Sequence, residues 1–131
     1  MKLQNYALGE WVTGTGPQAD LFHAVSGEKI GETSSGGLDF KAMAHYARTV
    51  GGPKLRAMTF HDRARMLKAM AKYLMERTAG YYAISAMTGA TKADSWVDIE
   101  GGIGTLFAYA SRGRREFPNE RFHVEGPMEP L

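Results

Sequence analysis

The feature that most constrains this chain is a change of hydrophobic period at Ser34-Ser35-Gly36-Gly37. Before it, apolar residues fall near alternate positions, as Tyr6, Leu8 and Val12 do in NYALGEWV, the spacing of a half-buried strand. After it, they recur at the spacing of an amphipathic helix. Strands first and helices afterwards read as a mixed α+β chain.

The first third predicts three short strands. NYALGEWV is the first, TGTGP a turn, ADLFHAV the second, SGE a tight turn and KIGET the third. Together they make an antiparallel β-meander over residues 1–37, marginal alone and needing a helix over one face.

The helices follow. One is expected from about Leu38 to Thr49, with Leu38, Ala42, Met43, Tyr46 and Val50 as its stripe and GGP (51–53) as its stop. The next is announced by Thr59, with Asp62 three residues on, an imperfect capping box because Glu or Gln is preferred there. Its stripe runs Phe60, Ala64, Leu67, Ala71, Leu74 up to Arg77, widened by Met66, Met70 and Tyr73. Gly80 should break or bend it, YYAISAMT should continue helically, and Gly89 fits the residue just past a helix end. A last helix is expected from about Ala93 to Ser111. The helical part thus covers 38–111. Residues 112–131, rich in Gly, Pro and charge without a core-forming period, read as a connecting tail.

That last helix raises a problem, because SWVDIEGGIGTLFAYAS carries Gly101, Gly102 and Gly104 in its middle. Each costs a helix roughly 0.5–1 kcal/mol relative to alanine. A phosphate-binding loop would need GxxxxGK followed by Ser or Thr, or GxGxxG between a strand and a helix. Here ADSWVDI precedes with a helical pattern, and Leu106 and Phe107 follow. The glycines are therefore expected to thin a helix so that a neighbouring element comes close.

No motif for catalysis stands complete. The chain has no cysteine, which excludes disulfides, thiolate metal sites and a cysteine nucleophile within it. His23, His45, His61 and His123 show no metal-binding spacing, and no HExxH or GxSxG occurs. Asp94 and Asp98 share a helix face at i,i+4, where a solvated face or a basic partner is the usual outcome. Catalytic, cofactor-binding and metal-binding residues are accordingly expected to number none. No signal peptide and no apolar run near the roughly 18 residues of a membrane span is present. The expectation is one domain of a soluble, cytoplasmic protein.

Net charge is only +2, but its distribution is uneven. Residues 1–40 hold two lysines against five acids, whereas 54–77 hold seven Lys/Arg against two acids. His61, Arg65, Lys68 and Lys72 recur at intervals of 4, 3 and 4, in one line along the second helix. Such a line is ordinarily a solvated face. Its functional reading is a docking surface for a polyanion, with Arg65, Lys68 and Lys72 meeting phosphates, as on coenzyme A. Neither a helix-turn-helix nor stacking aromatics accompany it, which disfavours nucleic acid.

Several segments resemble, in order and spacing, the amino-terminal part of the aldehyde dehydrogenase superfamily. NYALGEW (5–11) is similar to its opening Asn-aromatic-x-x-Gly-x-Trp strand, and SGEKIGE (26–32) to its Thr-Gly-Glu turn and strand. DRARMLKAMAKYLMER (62–77) resembles its arginine-started helix, and TGATKADSWVDIEGGIGTLFAYAS (88–111) its Gly-Lys segment and following helix. One departure is FHAVSGE, where many members carry Asn-Pro before the turn. LRAMTF, TGATKADSWVDIEGGIGTLF and YAS most resemble the bifunctional branch in phenylacetate degradation, which joins a semialdehyde dehydrogenase to an oxepin-CoA hydrolase.

The resemblance implies NADP- or NAD-dependent oxidation of a CoA-linked semialdehyde. A thiolate attacks the aldehyde, hydride passes to the nicotinamide, and water releases the acid. In the family the cysteine, the general-base glutamate, the oxyanion asparagine and most of the dinucleotide-binding sheet lie later in the chain, so no catalytic residue carries over. The chain is then expected to be an inactive scaffold fragment, flanking the cofactor-binding domain of its parent. Part of the Phe60–Leu74 stripe and the Ile103/Phe107 side of the last helix should stand exposed and promote self-association. A stand-alone basic helical module binding nucleic acid or a protein partner is the alternative.

Overall fold

The structure, a computed structural model, describes residues 1–124 and 126. It divides into two compact units, one of residues 1–53 and 79–95 and one of 54–78 and 96–131. Residues 125 and 127–131 of the expected connecting tail lie outside the described residues.

The α+β class holds, but the strands pair differently from a single meander. In the first unit, β1 (Asn5–Ala7) and β2 (Glu10–Val12) form one antiparallel hairpin, and β3 (Ala19–Phe22) and β4 (Lys29–Thr33) another. NYALGEWV is thus itself a hairpin, reversed at Leu8 and Gly9, whose φ angles are 54° and 94°. Two consecutive positive φ values are what a two-residue hairpin turn demands, and they override the alternation that made the segment look continuous. Tyr6 and Trp11 sit opposite one another with their rings edge-on at 5.2 Å. In the second hairpin Asp20 and Glu32 both reach the Lys29 amine, at 2.8 and 2.6 Å. Ser34 ties the loops together. Its hydroxyl lies 2.9 Å from the Thr15 and Pro17 carbonyls, and its own carbonyl accepts from the Asn5 amide. A Cβ on Gly36 would fall 1.9 Å from the Thr15 carbonyl oxygen, so that crossing requires glycine.

Helix α1 (Phe40–Tyr46) starts two residues later than expected, because Asp39 caps it by accepting the Ala42 N–H at 2.9 Å. GGP does not stop it. A wide π turn over Ala47–Gly51 leads into α2 (Gly52–Ala57). Pro53 falls in the first turn of α2, where a missing N–H costs little. Helix α4 (Thr78–Met87) begins before Gly80, so the break after the preceding helix falls at Glu76–Arg77 instead. Gly89, at φ +85°, closes α4 as its sequence position implied. Ser95 at the end of α5 (Lys92–Trp96) is buried, its hydroxyl satisfied by the Thr91 carbonyl and the Ser85 hydroxyl.

The second unit is built on two helices, α3 (Phe60–Met75) and α6 (Gly102–Arg115). The capping box at Thr59 is complete: Asp62 N–H donates to the Thr59 hydroxyl, and Thr59 N–H to the Asp62 carboxylate, each at 3.1 Å. Helix α6 runs four residues past Ser111, into the segment expected to be tail. Beyond it the chain returns onto the start of α3. Phe117 stacks on Phe60 at 4.7 Å, Phe60 N–H donates to the Glu120 carbonyl, and Arg63 to that of Arg121.

Among the described residues the buried apolar set is Ala7, Ala64, Ala71, Ile103 and Ala110. Ile103 is therefore covered, not exposed as expected. Met66, Met70, Tyr73, Trp96, Val97 and Tyr109 are among the exposed apolar residues.

Candidate polyanion-docking groove

Apart from Ile103, the α3–α6 seam is made of small side chains. Ala64 and Ala71 face it from α3, Ile103 and Ala110 from α6, and a Cβ on Gly113 would stand 3.2 Å from that of Ala64. Short residues bring two helices to the near end of their usual spacing. Long side chains flanking such a seam then converge on one groove.

That groove has a volume of about 430 Å³ and is lined by Lys68 from α3 and by Phe107, Ala110, Ser111, Arg114 and Arg115 from α6. Three cations, one hydroxyl and an aromatic wall share it. None of Lys68, Arg114 and Arg115 has an ion-pair partner among the described residues, whereas Arg112 beside them pairs with Glu116 at 3.9 Å. Arg114 and Arg115 also occupy the last turn of α6, where cations complement the helix dipole.

The stripe read from sequence is divided by the fold. The Nε2 of His61 lies 3.0 Å from the Phe117 carbonyl oxygen. Arg65 turns back to Asp62 within the capping box. Backbone and hydroxyl hydrogen bonds from Thr59, followed by that guanidinium, hold the Asp62 carboxyl below its ordinary value of 3.8. Lys68 alone of the three expected docking residues lines the groove; Arg65 and Lys72 do not. Arg114 and Arg115 were missed because the last helix was ended at Ser111, and Ser111, at that end, was not singled out. Extending the Phe107 spacing by four and by seven or eight residues reaches all three, and basic residues in a last turn are themselves a helix-end signal.

Gly101, Gly102 and Gly104 act neither as a phosphate loop nor as a contact. Gly101 ends a π turn over Val97–Gly101, and the other two lie in α6. A Cβ added to any of them meets nothing within 4 Å, so the close neighbour expected there is absent among the described residues. The close approach falls at Gly113. Asp94 accepts from the Thr91 hydroxyl at 2.6 Å at the start of α5, and Asp98 lies within the π turn. Among the described residues no helix is long and apolar enough to cross a membrane.

Hairpins followed by this antiparallel helix pair agree with the family that the sequence resembles. The profile described as "Aldehyde dehydrogenase family" matches residues 11–128, and the chain belongs to that family. Over 115 residues it is 41% identical to the 3,4-dehydroadipyl-CoA semialdehyde dehydrogenase of Aromatoleum evansii, which covers 87% of this chain and 22% of that enzyme. The chain therefore spans less than a quarter of the length of the curated relative it matches.

Proposed function

We propose that this chain is the amino-terminal scaffold of an NAD(P)-dependent aldehyde dehydrogenase that oxidises a CoA-linked semialdehyde in aromatic-compound catabolism. The observation that carries this reading is the 41% identity to an enzyme named for a CoA semialdehyde. The chain's own contribution is structural. It has no cysteine to attack an aldehyde. Nor do its described residues fit a dinucleotide: the sheets are two-stranded and antiparallel, and the glycine run lies inside a helix. The exposed Met66, Met70, Tyr73 and Tyr109 are surfaces for the rest of such an enzyme, and in isolation they drive self-association.

The groove supplies this reading with a substrate contact. Lys68, Arg114 and Arg115 meet the phosphates of a CoA-linked intermediate, with Arg65 and Lys72 contributing only longer-range attraction. The test has two arms. The 131-residue chain alone should show no aldehyde-dependent reduction of NAD⁺ or NADP⁺ and should scatter light as a dimer or larger species. In an enzyme that contains this chain and the catalytic cysteine, K68Q/R114Q/R115Q should raise KM for a CoA-linked semialdehyde by about tenfold and leave oxidation of a free aldehyde unchanged. Turnover by the chain alone overturns the scaffold reading, and an unchanged KM returns the groove to a solvated face. The same cations, without ion-pair partners among the described residues, favour one second reading, a basic binding module. DNA affinity that falls steeply with salt would support it.

A further inference from the structure

We propose that the β3–β4 turn is a proton-sensitive latch, held shut by the unprotonated ring of His23. The His23 Nδ1 accepts the backbone N–H groups of Val25 and Ser26, at 3.2 and 3.3 Å. A ring nitrogen that accepts carries no proton, so the imidazole is neutral with its hydrogen on Nε2. Around it the turn is closed by His23 N–H to the Glu28 carbonyl and Gly27 N–H to the His23 carbonyl, both at 2.8 Å. The intervening residue, Ala24, donates to the Met87 carbonyl at the end of α4, also at 2.8 Å. The ring therefore organises both the turn and its attachment to α4.

An asparagine carbonyl oxygen sits as far from Cβ as the imidazole Nδ1 and accepts the same two N–H groups at any pH. Histidine puts a titrating acceptor in that place. Once protonated, the ring carries an N–H at both nitrogens and points one at two further donors, and the turn loses both bonds.

The other groups around the turn do not compensate. Glu28 is its acid, engaged with the Ser26 hydroxyl at 3.4 Å. Further along the hairpin, hydrogen bonds from Asp20 and Glu32 hold the Lys29 amine above its ordinary value, and Lys29 holds the Glu32 carboxyl below its own, so both stay charged while an imidazole titrates. From α4 and its end the approach is made by the Met87 carbonyl and by Gly89, which do not titrate.

Amide hydrogen exchange on the whole chain tests the latch. Between about pH 8 and about pH 5, protection of the Val25 and Ser26 amides, corrected for intrinsic exchange, should fall by about tenfold. In H23N it should stay level across that range, because the amide oxygen replaces Nδ1 without titrating. H23A should leave both amides unprotected throughout. Level protection in the native chain, or an equal fall in H23N, overturns the proposal. H23N, which retains the acceptor, decides the matter even if H23A does not fold.

Discussion

The starts of α3 and α6 make an instructive contrast. Helix α3 opens on a side chain chosen for the purpose: Thr59 and Asp62 exchange three hydrogen bonds, and Arg65 closes over the carboxylate. Helix α6 opens on Gly101 and Gly102 with no side-chain cap, as the continuation of a π turn. The first is local chemistry across three residues of chain. The second is a run of poor helix formers with no partner within reach among the described residues. A helix start that is closed upon itself and one whose reason lies outside it look equally deliberate in sequence, and only the first is self-explanatory.

Substitutions can break or sharpen that contrast. The largest effect is expected at the far end of α6, where G113L drives a side chain into Ala64, whose Cβ already lies 3.2 Å from the position of an added Cβ. It should cost about 1–3 kcal/mol, read as a lower urea midpoint by circular dichroism. Next comes T59A, which removes the cap of α3 and should cost about 1 kcal/mol by the same measurement.

The charge half of that box adds a pH dependence. Because the folded-state value of Asp62 is the lowered one, its contribution is present in full above the ordinary 3.8 and is lost as pH falls through the lower value. D62N should flatten the acid limb of the α3 unfolding profile. The smallest effect is G104A, which enters open space and should raise stability by roughly 0.5–1 kcal/mol. Destabilisation there would reveal a neighbour that the described residues do not include.

Much of the fold was legible, for reasons that differ by element. The cap at Thr59, the stop at Gly89 and the α3 stripe Ala64–Leu67–Ala71 rest on interactions within a turn or two, which spacing encodes directly. Leu8 was not readable as a turn residue, since leucine rarely takes a positive φ and only Gly9 beside it hinted at the reversal. GGP read as a stop because proline ends helices in their interior, yet here it opens one. The groove was half legible. Lys68 stood out on its own helix, but Ser111, Arg114 and Arg115 join it only because α6 lies alongside α3.

Taken by itself, the order of residues determined what each short stretch prefers: where helices begin, which faces are oily, where cations gather, and that no cysteine chemistry occurs within this chain. Tertiary structure alone decided which preferences meet. It set Gly113 against Ala64, drew Arg65 away from its stripe, and brought the cations of two helices to one groove. The physical reason is range. Capping and periodicity act across three or four bonded neighbours, whereas a seam or a groove joins residues as far apart as Ala64 and Gly113, and nothing in local spacing records which distant surface will arrive.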